Sequence, residues 1–268
     1  MWNIIKGEWQ KLRRCQILLV EIVALALCPV VQYGSQLIVN PEIRDLNYDF
    51  VRLFSSVVWG NTQVFLPISL VMIGGWMIDR EHTSDTMKNL LAVPVSYHRL
   101  LGGKLAVAAA LSLIFGVYSV IATVVTGSLA GLDGFSMIVL ARQGGQVILA
   151  AFYTGLVCMP LILIFGQIRG AYLGGALLTF FLGYCILFFK GGFLLSAYPF
   201  SAALVLSGFD MQEYNGAIES PSIPLALLGM LSVLLLTAGV LFSSHPGSRA
   251  GRSGKKKKKK GRGQRRRR

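Results

Sequence analysis

LFSSVVWGNTQVFLPISLVMIGGWMIDREHTSDTMKNLLAVPVSYHRLLGGK, residues 53–104, decides how this chain is read. Residues 53–78 carry no ionisable side chain, over a length that suits a bilayer, which needs about 20 apolar residues to cross. Residues 80–104 then turn polar, with Arg80, Lys88, Arg99 and Lys104, and carry a helical pattern of their own. Thr83, Ser84 and Asp85 are good N-caps, the acid being favoured at the positive end of a helix. Met87, Leu90 and Leu91 follow at i, i+3, i+4 spacing and share one face. Pro94 stops the helix and biases Val93 toward an extended conformation. The stretch therefore predicts a membrane span followed by a helix of about two turns, 84–92, lying across the end of the membrane domain. Spacing alone leaves two readings open, an amphipathic turn packed on the bilayer surface and a docking element for a partner.

Composition carries the membrane assignment to the whole chain: 54% of the 268 residues are hydrophobic, 14% are charged and the mean hydropathy is +0.60. Such a chain is an integral membrane protein. Of its 26 Lys and Arg residues, 13 lie in 249–268 without an acidic residue among them, and without those 13 the net charge falls from +14 to +1. The pI of about 9.9 thus belongs to a tail and excludes a basic nucleic-acid-binding domain. Residues 246–268 are expected to be disordered, binding anionic lipid or other polyanions without specificity.

An ionisable group at the bilayer centre costs at least about 2.5–3.5 kcal/mol, so charge-free runs mark the spans. Six runs qualify, and helices are expected at 16–34, 57–78, 104–128, 145–166, 170–189 and 222–243. Lys and Arg alternate in density along the segments between them: four before the first span, four in the second loop, one in the fourth and 13 in the tail, against two, one and one in the first, third and fifth loops. The positive-inside rule then predicts that both termini and the 80–104 loop are cytoplasmic. No cleavable signal sequence is evident, because the first apolar run is long and lacks a small-residue cleavage site.

Little in the sequence supports catalysis. Cys15, Cys28, Cys158 and Cys185 lie in or beside spans at spacings that match no metal site and read as small buried apolar residues. The only histidines are His82, His98 and His245, and there is no H-E-x-x-H, G-x-S-x-G, P-loop or paired intramembrane carboxylate.

Other segments have weaker signals. Residues 1–14 set Trp2, Ile4, Ile5 and Trp9 among Lys6, Lys11, Arg13 and Arg14, which suits either an interfacial amphipathic helix or the flanking charges of the first span. The segment 197–209, AYPFSAALVLSGF, is too short to span yet apolar enough to enter the outer leaflet, as a re-entrant element or a folded outer loop. Asp210, Glu213 and Glu219 after it read as solvated acids or as an attraction for a cationic peptide. Glu21 is expected to face the bundle as a structural carboxylate rather than line a substrate path. Gly170, Gly174, Gly175, Ala176 and Gly183 give the fifth span a small-residue face for packing within the chain or against another subunit.

Segment 80–104 resembles the loop between the second and third spans of ABC-2-type transporter permeases. In that family an acidic residue precedes a Thr-x-x-x-Leu-Leu-x-x-Pro-Val-Ser element and a downstream Lys, matched here by Glu81, Thr86, Leu90, Leu91, Pro94, Val95, Ser96 and Lys104. Glu8-Trp9-Gln10-Lys11-Leu12-Arg13 resembles the family's Glu-x-x-Lys opening, most closely that of lantibiotic-immunity and bacitracin-resistance permeases. Asp85 departs from the family, which often has Gly before the Thr, but still caps a helix. The tail from Gly247 has no counterpart.

The resemblance implies an all-α, six-span ABC-2 permease architecture of the type V exporter kind, in a bacterial cytoplasmic membrane. It implies a dimer, with an identical or sister permease, served by two copies of an ATPase that hold the ATP and magnesium; the chain itself carries no cofactor and no metal. Its loop helix would enter a groove on that ATPase, with Met87, Leu90 and Leu91 as anchor and Glu81, Asp85 and Lys88 setting register beside Thr86 and Pro94. The cargo implied is an amphipathic antimicrobial peptide, drug or lipid. Rival readings are a membrane scaffold or sensor subunit whose 80–104 loop binds another cytoplasmic partner, and an ion-coupled transporter. The second is disfavoured because Glu21 is the only ionisable group in the spans and the halves show no repeat.

Overall fold

A backbone in lipid must satisfy its own hydrogen bonds, and charge-free sequence in this chain accordingly becomes helix. The computed structural model describes residues 2–12, 15–39, 47–83, 96–216 and 221–244, and no strand occurs among them. The helices are α1 (Trp2–Leu12), α2 (Gln16–Ile38), α3 (Phe50–Gly60), a π-helical segment (Asn61–Phe65), α4 (Leu66–Thr83), α5 (Tyr97–Leu129) and α6 (Met137–Gly166). They continue as α7 (Tyr172–Tyr184) with a 3-10 turn (Cys185–Phe188), α8 (Gly192–Ala197), α9 (Pro199–Leu206), α10 (Gln212–Asn215) and α11 (Ile223–Ser243).

Five helical stretches are long and apolar enough to cross a membrane among the described residues: α2, the α3–π–α4 rod, α5, α6 and α11. The expected fifth span, 170–189, is a 13-residue helix continued by a 4-residue 3-10 turn, Tyr172–Phe188, shorter than the other five and entered from a turn at Gly170, whose φ is +69°. Most of the other spans outrun their charge-free cores. Expected stretches 57–78, 104–128 and 145–166 become Phe50–Thr83, Tyr97–Leu129 and Met137–Gly166, since polar residues at span ends keep helical hydrogen bonding outside the hydrocarbon. Residues 80–83 and 97–104 of the expected loop are accordingly helical, and 84–95 lie outside the described residues.

The core lies along the α3–π–α4 rod, 78% of whose most apolar window is buried, against 22% for the corresponding window of α2. The rod packs against α6 and α7, and α6 also packs on α5, α9 and α11. Small residues allow these approaches: a Cβ on Gly155 of α6 would fall 2.6 Å from Ser112 Oγ of α5, and one on Gly74 of α4 would fall 2.8 Å from Ile162 of α6. The glycine face of α7 divides. Gly175 packs on Phe165 and Gly183 on the Gln63 backbone, whereas Gly174 has open space beside it. α2 turns Leu19, Val20, Val23, Leu27, Val30 and Val31 outward, an apolar face suited to lipid.

The segment 197–209 forms α9 and its flanks, with Ala202, Ala203 and Leu204 fully buried against α6 and α11. Asp210 caps the next turn by accepting from Gln212 N at 3.0 Å. Cys28 and Cys158 are fully buried. Glu219, His245 and the tail from 246 lie outside the described residues.

Candidate functional site

The ends of five helices meet at the side of the bundle where α4 stops and α5 starts. His98 bonds the Phe242 carbonyl at 3.3 Å, and Gln167 Nε2 donates to Ser244 Oγ at 2.7 Å. These contacts bring the start of α5 and the ends of α6 and α11 together. Asp79, on the last turns of α4, accepts from Gly170 N at 2.9 Å and so ties α4 to the α6–α7 turn.

The centre of this end is a buried ion cluster. Lys104 is only 2% exposed. Its ammonium donates to Glu8 Oε2 at 2.8 Å and to the Met77 carbonyl at 2.7 Å, and it pairs with Glu81 Oε1 at 2.9 Å. Lys11, half exposed, pairs with Glu8 Oε1 at 2.6 Å and Glu81 Oε1 at 3.5 Å. Two carboxylates and two ammonium groups cancel, and a buried charge is tolerable only when paired and hydrogen-bonded in this way.

Local sequence explains how each member arrives. Glu8 and Leu12 are one turn apart on the inner face of α1 and are both buried, while Trp2, Lys6 and Trp9 stay outside, with Lys6 5.6 Å from the Trp2 ring. Glu81 sits on α4 one turn past Met77, whose carbonyl Lys104 caps. Lys104 is two turns inside α5, so the expectation of a loop cation is corrected: helix begins at Tyr97 and carries this ammonium into the bundle. Burial alone would raise the Glu8 carboxyl, but the Lys104 ammonium together with Lys11 outweighs it and holds Glu8 below its ordinary 4.5. Burial alone would lower Lys11, but the Glu8 bond and the charges of Glu8 and Glu81 hold it above its ordinary 10.5.

A cavity of about 170 Å³ opens beside the cluster, walled by Trp76, Arg80 and Leu12, with the Arg80 guanidinium 5.2 Å from the Trp76 ring. Of the eight expected coupling residues, Glu81 is in this cluster; Asp85, Thr86, Met87, Lys88, Leu90, Leu91 and Pro94 lie outside the described residues. The two helices that bracket them, α4 and α5, are pinned to each other and to α1 through Lys104.

Sequence reasoning missed Glu8 as a partner of Lys104. The available signal was that Glu8, Lys11, Glu81 and Lys104 are the charged positions of two separate motifs and sum to zero. It also missed the polar triplet Asn61-Thr62-Gln63 inside a charge-free run, four to six residues before Pro67.

Bundle, spans and buried ion cluster define a multi-pass helical membrane protein with a structured end built by α1, α4, α5, α6 and α11. A family model described as ABC-2 family transporter protein matches residues 4–186, more than half of the chain and all four members of the cluster. The chain belongs to that family, as a membrane component of a transporter rather than its catalyst. Comparison with curated proteins gives no match.

Proposed function

We propose that the chain is the permease subunit of an ATP-driven transporter whose ATPase is a separate chain seated on residues 84–95. The observation that carries this is the Lys104 cluster. A force applied between α4 and α5 meets a joint in which Glu8, Glu81 and the Met77 carbonyl converge on one buried ammonium. Such a joint moves as a rigid body, so closure of two ATPase subunits would tilt the spans rather than fold the loop. In this reading the α1 end, the 84–95 segment and the end of α11 face the cytoplasm of a bacterial cell, and Tyr172–Phe188 serves as a short sixth span. The positive-inside count supports that orientation.

The permease would work as a dimer, with itself or a sister chain, and expel an amphipathic antimicrobial peptide of the lantibiotic or bacitracin kind, or a drug or lipid. α8 and α9, buried against α6 and α11, would close the outer side. Introducing Leu90→Asp or Leu91→Asp should leave the protein in the membrane and abolish co-purification of the P-loop ATPase that the parent protein retains. Unchanged association would overturn the docking assignment. Absence of any co-purifying P-loop ATPase from the parent protein would favour a scaffold or sensor role.

A further inference from the structure

The α3–π–α4 rod breaks its α-helical register at one place. Pro67 has no N–H to give the Gln63 carbonyl, and its ring crowds that carbonyl, so the backbone widens to π geometry over Asn61–Phe65, with Leu66 N bonding Asn61 O. The displaced Gln63 carbonyl packs against Gly183 of α7, where no Cβ has room. The segment lies among α2, α6, α7 and α9.

Its first three side chains are polar and buried, and most of their polar atoms have no partner. Asn61, Thr62 and Gln63 are 2%, 0% and 4% exposed. Among the described residues, Asn61 Oδ1 and Nδ2, Thr62 Oγ1 and Gln63 Nε2 form no hydrogen bond. The other buried threonines, Thr123, Thr154, Thr179 and Thr237, each donate to the carbonyl four residues earlier at 2.6–2.8 Å. Each unmatched buried group destabilises by about 1–3 kcal/mol, so several in one turn are the mark of a site that keeps its donors and acceptors for something else.

The surroundings narrow what that is. No charged side chain occurs between Arg52 and Asp79 on this rod, and the carboxyl that α2 buries against it, Glu21, is set beside Ser69 rather than at Asn61–Gln63, so the π turn itself offers a ligand no charge. In a π turn Gln63 falls beneath Trp59, whose indole lies 6.1 Å from Phe209 and 5.5 Å from Tyr214, an aromatic wall above the polar turn. On the other side Gly60 leaves room for the Gln32 carboxamide, which is half-buried on α2 amid the outward-facing Val30 and Val31. The Gln32 carboxamide thus stands between the lipid-facing helix and the start of the π turn.

We propose that Asn61, Thr62 and Gln63 form a binding site for the uncharged hydroxyl- or amide-bearing head of a membrane-dissolved amphiphile. This names the chemical class of the cargo and so rests on the permease reading. The test omits the ATPase, so that loss of binding and loss of ATPase docking are separate results.

Replacing Trp2, Trp9 and Trp76 by Phe leaves Trp59 as the sole tryptophan. The chain in nanodiscs is titrated below micellar concentration with octyl glucoside, methyl glucoside, octyltrimethylammonium and octyl sulfate. A saturable Trp59 emission change is expected with octyl glucoside alone. Asn61→Leu, Thr62→Val and Gln63→Leu should each raise its half-saturation at least tenfold while keeping or raising the melting temperature, because an unmatched polar group is removed. The proposal is overturned by no saturable response, by an equal response to methyl glucoside or the charged octyl compounds, by variants that bind as the parent does, or by variants that melt several degrees lower.

Discussion

Lys104→Met removes the cation around which the end of the bundle is built, while keeping the length and apolar stem of the side chain. Glu8 and Glu81, 4% and 7% exposed, would then share a buried site with Lys11 as the remaining cluster cation. Lys11 reaches Glu8 at 2.6 Å but Glu81 only at 3.5 Å, and it is half in solvent, so it compensates Glu8 better than Glu81. Breaking a buried pair by deleting one partner destabilises by about 3–5 kcal/mol, and the Met77 carbonyl loses its donor as well. For a chain of this size that corresponds to a fall of roughly 6–20 °C in melting temperature. The assay is thermal unfolding of purified protein followed by a thiol-reactive dye, for which Cys28 and Cys158 are suitable since both are fully buried in the fold. The triple replacement Glu8→Leu, Glu81→Met, Lys104→Met removes all three buried charges and should recover most of the loss. A Lys104→Met protein that melts within about 2 °C of the parent would refute the clamp, because an unpaired carboxylate in this position cannot be so cheap.

Other outcomes follow from the same geometry. Glu8 is held below its ordinary 4.5, so its stabilisation is complete above that value and is lost as pH falls through the lower folded value; Lys11, held above 10.5, contributes fully below 10.5 and fades as pH rises beyond it. Docking of α1, read from Trp9 emission, should therefore be flat across neutral pH, fail in acid below the ordinary carboxylate range and weaken in alkali above 10.5, and Glu8→Gln should remove the acid transition. Gly183→Ala must displace the Gln63 backbone and should destabilise by about 1–3 kcal/mol, whereas Gly174→Ala, with open space beside it, should be neutral or stabilising in the same melt. Asp79→Ala loses a charge-assisted bond to Gly170 N and should lower stability by about 1.5–3 kcal/mol, with faster proteolysis at the α6–α7 turn as the local readout.

Spans and class were legible because the bilayer acts as solvent on each segment separately: a charge-free run of sufficient length declares itself without reference to the rest of the chain. The same logic placed a span at 170–189, and the helical stretch Tyr172–Phe188 falls there, though it closes in a 3-10 turn and is shorter than the other five. It misjudged Lys104. A lysine next to a span reads as an interfacial cation, and only the approach of α1 and α4 makes a buried position affordable for it.

Sequence by itself determined that the chain is a helical membrane protein, where its apolar stretches run, and that its charged motifs at 8–11 and 81–104 resemble those of ABC-2 permeases. Tertiary structure alone decided that these motifs are one object. Glu8, Glu81 and Lys104 come together through the packing of α1, α4 and α5, with Glu8 and Lys104 separated by 96 residues in the chain. It alone also decided that Asn61, Thr62 and Gln63 are buried with most of their polar atoms lacking a partner. Hydropathy is a property of a segment, whereas the satisfaction of a charge or a hydrogen bond depends on what other segments bring to it.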